Sequence, residues 1–262
     1  MHAESLITFE ERGPAFALVR LERAGKRNAL TPAMLEHLAA LFTDLSERRD
    51  LRAIILTGAG REAFSAGTDI GALVELDREA ARRTAERGQR ACEVIEMCRV
   101  PVIAAVNGVA AGGGCELALA CHLRVAAAHA TFSLPELKLG MIPAYGGTQR
   151  LTRAVGQGRA LAAMLAGESL TADEALRLGL VNRVVAVEQL LPEADALAQT
   201  VSQLAPLAVR ACLEAVTGGA RLPLADGLEL EAELFSQLFA TGDVREGTRA
   251  FLEKRAPVFE GK

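Results

Sequence analysis

Two glutamates stand in backbone that has been stripped of side chains around them. Glu116 closes the run Gly112-Gly113-Gly114-Cys115-Glu116, and Glu136 closes Ser133-Leu134-Pro135-Glu136. Both have mostly apolar neighbours. An ionised carboxylate resists desolvation unless something pairs with it, so such a couple is either satisfied structurally or tuned for proton transfer. Two close carboxyls also raise one another's pKa, which lets one of them keep its proton near neutrality.

The glycines add a second ingredient. Three in succession at the entry of an apolar helix expose backbone amides at its positive end, where an anion is stabilised. The small-residue loop Ser65-Ala66-Gly67-Thr68-Asp69 offers another set of amides. If the two loops converge, a pair of N–H groups could hold one oxygen that gains negative charge, as an oxyanion hole does. Acids beside such a hole suit proton addition or removal next to a carbonyl, since the hole stabilises an enolate while the acids move protons. The plainer alternatives are glycines that merely allow close helix-to-strand contact, a Glu116 favoured only by the helix dipole, and a Glu136 that is an ordinary turn residue.

Other chemistries find less support. Ser65 or Ser133 with His122 or His129 as base would make a nucleophilic pair, but the chain has no Gly-x-Ser-x-Gly elbow. The histidines lack metal-ligand spacing, so no metal site is expected. Cys92, Cys98, Cys115, Cys121 and Cys212 form no Cys-x-x-Cys, which fits reduced, packed thiols. A net charge of −4 and a pI near 5.7 argue against nucleic acid as a partner. Between Arg78 and Arg90 the arginines 82, 83, 87 and 90 alternate with Glu79 and Glu86, the pattern of a solvated helix face. No apolar run reaches the ~18 residues of a membrane span, and Met1 to Ser5 resemble neither a signal nor a transit sequence, so a cytoplasmic location is expected.

The elements that must position these residues follow from pattern. At 262 residues and 50% hydrophobic, with only 4% aromatic, the chain can bury a core built from Ala, Val, Leu and Ile in regular layers. Residues 6 to 10 and 15 to 21 read as strands about a Gly13-Pro14 turn. Thr31-Pro32 starts a helix with an apolar stripe at Leu35, Leu38, Leu41, Phe42 and Leu45. Residues 53 to 57 and 102 to 106 are apolar runs expected as buried strands, each followed by one of the small-residue loops, so a strand, loop, helix unit repeats. Further strands are expected at 123 to 126, 131 to 133 and 184 to 185. Gly146-Gly147-Thr148 opens a helical stretch, and Thr171-x-x-Glu174 is a capping box whose helix should stop at Gly179. Beyond about residue 190 the pattern is helical, over 189 to 204, 206 to 217, 224 to 240 and, after Asp243-x-x-Glu246, 244 to 254. Leu228, Leu230, Leu234, Phe235, Leu238, Phe239 and Phe251 give this tail more apolar surface than it can hide alone, so docking on neighbouring subunits is expected.

Taken together, Lys26-Arg27-Asn28-Ala29-Leu30, Phe64 to Ile70, Val106-Asn107-Gly108 with Gly112 to Glu116, Pro135-Glu136, and Ile142-Pro143 with Gly146 to Leu151 resemble the enoyl-CoA hydratase/isomerase (crotonase) family. The likeness runs over nearly the whole chain, to Arg245 through Arg255. It implies an α/β spiral of repeated ββα units over residues 1–195 with the acyl-CoA site, and a helical oligomerisation region over 196–262 that forms trimers, commonly stacked as hexamers. By the same resemblance, the amides of Thr68 and Gly113 would grip the thioester oxygen. Glu136 would act towards C2, and Glu116 would orient the water that attacks C3. Lys26, Arg27, Ala66, Asp69 and Ile70 would hold coenzyme A, joined by Phe235 and Lys254 from an adjacent subunit. Coenzyme A would enter with the substrate, with no cofactor permanently bound.

Retention of both acids points to a hydratase. An isomerase, a ring-modifying branch acting on aryl-acyl thioesters and a non-catalytic acyl-CoA- or RNA-binding relative are the alternatives. Three departures from the common hydratase pattern stand out. Thr68 replaces Ala, Gly71 stands where a phosphate-binding Lys is frequent, and Ala144-Tyr145 replaces Gly-Ala beside the acyl pocket.

Overall fold

The computed structural model describes residues 6–13 and 15–262. The first five residues, and Pro14 of the expected first turn, lie outside them. The chain begins with strands β1 (Ile7–Arg12) and β2 (Phe16–Leu21), then helix α1 (Pro32–Glu47). Thr31 caps α1 by accepting from the Met34 amide at 3.2 Å, and Pro32 occupies the first turn, where no N–H is needed. The stripe of Leu35, Leu38, Phe42 and Leu45 is buried.

Three ββα turns follow. The first is β3 (Ala53–Gly58), β4 (Ala63–Ser65) and α2 (Arg78–Glu96); the second is β5 (Val102–Val106), β6 (Val109–Ala111) and α3 (Gly113–Ala120). The third is β7 (Leu123–Ala127), β8 (Thr131–Ser133) and α4 (Gly147–Val155). In each turn the first strand joins one sheet and the second strand another. The larger sheet has the order β1-β2-β3-β5-β7-β10, with β10 at Arg183–Val185, and the smaller β4-β6-β8-β9, with β9 at Leu170–Thr171. After α4 come α5 (Gln157–Leu165), β9 (Leu170–Thr171), α6 (Ala172–Arg177) and β10 (Arg183–Val185). The pairs β2–β3, β3–β5, β5–β7 and β7–β10 are parallel, and every residue of β3 and β5 is buried. Strands covered on both faces read as unbroken apolar runs, as these do.

The short strands β4, β6 and β9 leave no signal in the sequence pattern, which places Ser65, the last residue of β4, in a small-residue loop. They hold only two or three residues each, and their identity lies in long-range pairing: Val109 to Ala111 registers with Thr131 to Ser133. The capping box forms as expected, with Thr171 Oγ1 accepting from Glu174 N at 3.2 Å and Glu174 Oε2 accepting from Thr171 N at 2.9 Å.

The C-terminal helices are α7 (Leu190–Ser202), α8 (Pro206–Gly219), α9 (Leu224–Leu238) and α10 (Gly242–Glu253). Helix α7 runs across residue 195 and packs on β3, β5 and β7, so it covers the larger sheet. Asp243-x-x-Glu246 is not a cap. Asp243 is buried and accepts from the amides of Glu260 and Gly261 at 2.9 and 3.0 Å, while Glu246 takes Arg255 and the Val258 amide. Both acids fasten the last residues of the chain back onto α10. Four cysteines are buried free thiols; Cys212 on α8 is exposed, contrary to the expectation of packing throughout. Helix α2 carries the solvated charge pattern, with Arg82–Glu86 and Arg83–Glu79 pairs one turn apart.

Candidate active site

The two small-residue loops meet at the ends of β4 and β6. A Cβ on Gly67 would lie 2.6 Å from the Ala111 carbonyl and 3.1 Å from the Gly113 nitrogen, so only glycine allows the approach. Gly67 has φ +92° and Gly112 φ +50°, both conformations that side chains disfavour. Buried polar groups tie the first loop down. Ser65 donates to Asn28 O at 2.8 Å and accepts from Gly67 N at 3.2 Å, and Asn28 donates to Ala59 O and Ala63 O at 3.0 and 2.8 Å.

Among the described residues, no backbone hydrogen bond engages the amides of Thr68 and Gly113. In the parallel bridge between Leu30 and Thr68, Leu30 N donates to Gly67 O and Asp69 N donates to Leu30 O, so the Thr68 amide points away from the ladder. The Gly113 amide opens α3, where no intrahelical acceptor exists. Thr68 and Gly113 both line a cavity of about 530 Å³, together with Glu116 and Glu136.

Glu116, in the first turn of α3, is 1% exposed. Its Oε1 accepts from Tyr145 N at 2.8 Å and Gly147 N at 2.7 Å, and no described residue donates to Oε2. A Cβ on Gly147 would lie 2.9 Å from that Oε1, which explains the glycine there. Burial pushes the Glu116 carboxyl up to about 7; the two amides oppose the rise and the charge of Glu136 adds to it.

Glu136 opens a single 3-10 turn after Pro135. Its Oε2 is buried with no hydrogen-bond partner among the described residues, and burial raises its pKa as well. An unpaired buried polar atom costs about 1–3 kcal/mol, a cost that structural carboxyls avoid and that a substrate or water would relieve.

The remaining expected site residues divide. Ala66 and Ile70 line the cavity, as do Ala144 and Tyr145. Lys26 and Arg27 are exposed outside it, with Arg27 O accepting from Ala66 N at 2.9 Å at the cavity's edge. The Asp69 carboxylate is spoken for: it holds Arg23 at 2.7 Å and caps Gly71 N at 3.1 Å. Phe235 and Lys254 lie on α9 and at the end of α10 and do not line the cavity of their own chain. Ser65 is locked into the loop. His122 bonds Val102 N and Glu96 O, and His129 bonds Arg61 O, so neither serves a nucleophile.

Sequence reasoning missed the braces. Arg150 donates to Tyr145 O at 2.9 Å and pairs with Glu96 through two bonds of 3.1 and 3.0 Å, and so holds the segment whose amide grips Glu116. Gly88 is the other omission. A Cβ there would lie 1.9 Å from the Tyr145 ring. A glycine amid a charged helical run was the signal available.

The family profile described as enoyl-CoA hydratase/isomerase matches residues 11–262. A crotonyl-CoA hydratase of Syntrophomonas wolfei is 40% identical over 252 residues, 96% of this chain and 97% of its own length. A short-chain-enoyl-CoA hydratase of Clostridium acetobutylicum is 38% identical over 95% of both chains. The crystal structure of an enoyl-CoA hydratase from Bacillus anthracis superposes with a TM-score of 0.94 at 38% identity, covering 98% of this chain and 100% of that one. With a profile match through the final residue and relatives aligned almost end to end, this chain belongs to the enoyl-CoA hydratase/isomerase family.

Proposed function

We propose that the protein is an enoyl-CoA hydratase, a hydro-lyase that adds water syn across the C2–C3 double bond of 2-enoyl-CoA thioesters to give 3-hydroxyacyl-CoA. The observation that carries this reading is the presence of two carboxyls and two unengaged amides on one cavity. The thioester oxygen sits between the Thr68 and Gly113 amides. Water, oriented by Glu116 and Glu136, adds its oxygen to C3 and gives a proton to Glu116, while the electron pair moves to the thioester oxygen as an enolate. The enolate collapses as Glu136 delivers a proton to C2. Proton exchange with solvent returns Glu116 to its ionised and Glu136 to its neutral form. Burial raises both acids, Glu116 to about 7, where a carboxyl both gives and takes a proton near the working pH.

Coenzyme A arrives with the substrate and needs no resident cofactor beside it. Ala66 and Ile70 at the cavity, with Lys26 and Arg27 next to them, are assigned to its nucleotide end. We assign α8–α10 to subunit contacts in a homotrimer or a hexamer of two stacked trimers, with Phe235 and Lys254 reaching the coenzyme A of a neighbour. Their exposure supports this, Phe235 being 63% exposed. A cytoplasmic location accords with four buried free thiols and with the absence, among the described residues, of a helix able to cross a membrane.

The test is hydration of crotonyl-CoA, followed by loss of enoyl-thioester absorbance. Turnover that disappears in Glu116→Gln and Glu136→Gln supports the reading. No turnover by the wild type on short, medium or aryl enoyl-CoA would refute it. Relocation of a double bond without new oxygen at C3 would make the enzyme an isomerase instead.

A further inference from the structure

We propose that Tyr145, latched to Thr68, is the specificity-determining wall that ends the acyl pocket and restricts the enzyme to short 2-enoyl thioesters. The proposal rests on the hydratase reading. Helix α2 lines the cavity with Ala81, Thr84 and Ala85, positions that share one helix face. The next position on that face is Gly88, and there the cavity stops. A Cβ on Gly88 would lie 1.9 Å from Tyr145 Cδ1, so the phenol ring rests on bare helix backbone. The other edge of the ring covers Gly113, where a Cβ would lie 2.7 Å from Cε2. The ring, 3% exposed, therefore fills the gap between α2 and α3. Beyond Gly88 the same face of α2 continues as Cys92 and Ile95, fully buried in the core.

Both ends of the residue are fixed. Thr68 Oγ1 donates to Tyr145 Oη at 2.8 Å, and the Thr68 amide is the one assigned to the thioester oxygen. At the backbone end, the Tyr145 amide holds Glu116 and its carbonyl is held by Arg150. The wall thus starts one side chain away from the reacting carbons. Two of the chain's departures from the common hydratase pattern, Thr68 and Tyr145, are a single contact. A methylene chain pushed past C3 in this direction would meet a paired hydroxyl couple and would have to break it without replacing its hydrogen bond, which is unfavourable.

The experiment compares kcat/KM for crotonyl-, hexenoyl-, octenoyl- and decenoyl-CoA in the wild type, Tyr145→Ala, Tyr145→Leu and Tyr145→Phe. The wild type is expected to fall by roughly tenfold or more from crotonyl- to octenoyl-CoA, the discrimination a tight apolar pocket exerts. Tyr145→Ala and Tyr145→Leu should raise the octenoyl-to-crotonyl ratio by about tenfold, and Tyr145→Phe, which keeps the ring and loses only the hydroxyl pair, should raise it by less. A residue that merely supported the fold would lower all four substrates alike and leave the ratio still. Crotonyl-CoA hydrated with a ratio unmoved by the small side chains overturns this proposal alone. So does a wild type that hydrates decenoyl- as well as crotonyl-CoA, a result that needs no variant to fold. No hydration of any substrate overturns the hydratase reading first.

Discussion

The ββα core and the last three helices are built on opposite plans. In β3 and β5 no residue is exposed, whereas α8 has no buried residue at all and α9 has only Leu234. Phe251 and Leu252 on α10 are 83% and 80% exposed. Every described residue lining the cavity of the two acids lies between positions 66 and 145, in the core. The first region closes on itself and holds the cavity lined by both acids. The second presents apolar side chains outward, on the surface proposed for contacts with other subunits.

Substitutions should separate the regions, and the acids come first. Glu116→Gln and Glu136→Gln should each lower kcat by about 10²–10⁴, the worth of a positioned proton-transfer group, with both proteins folded by circular dichroism. The next effect is on stability. Ile55→Ala in β3 removes a fully buried side chain and should cost about 2–5 kcal/mol in denaturant unfolding.

Glu116 joins activity to stability. In the proposed mechanism it must be ionised to take a proton from water while Glu136 keeps its own, so kcat/KM should rise with pH through about 7 and fall where Glu136 ionises. Its pKa in the folded chain exceeds the ordinary 4.5, so the folded state holds that proton more tightly than the unfolded chain does. The corresponding stability is complete below about 4.5 and is lost as pH climbs through about 7. Glu116→Gln removes the loss. The variant should gain on the wild type by up to roughly 3 kcal/mol between pH 4.5 and 8, measured by urea unfolding. A flat difference across that range would mean that the carboxyl is not desolvated. The smallest folding effect is expected in the tail. Phe251→Ser should change monomer stability by no more than about 0.5 kcal/mol while lowering the mass seen in sedimentation.

Much of the core was legible because its signals are local. Unbroken apolar runs mark β3 and β5, Thr31-Pro32 marks the start of α1, and Thr171 with Glu174 marks α6. The two acids and both glycine loops could also be read, since bare backbone beside a carboxyl is conspicuous in any context. What escaped depends on distant pairing. Strands β4 and β6 are three residues each and gain meaning only from register with their neighbours. Asp243 and Glu246 carry the spacing of a cap but serve the chain's last residues, because tertiary partners outcompete a local amide. Thr68 and Tyr145 were each visible as departures. That they touch across 77 positions is a property of the spiral, which brings the first and third ββα turns together.

The central claim is that both carboxyls and both amides act on one bound enoyl thioester, from a single cavity. It is tested most directly by hydrating crotonyl-CoA in deuterium oxide and reading the product's C2 and C3 configurations by NMR. The account predicts one deuterium at C2, on the same face as the new oxygen at C3. Deuterium on the opposite face, or at C2 with no oxygen added at C3, would contradict it.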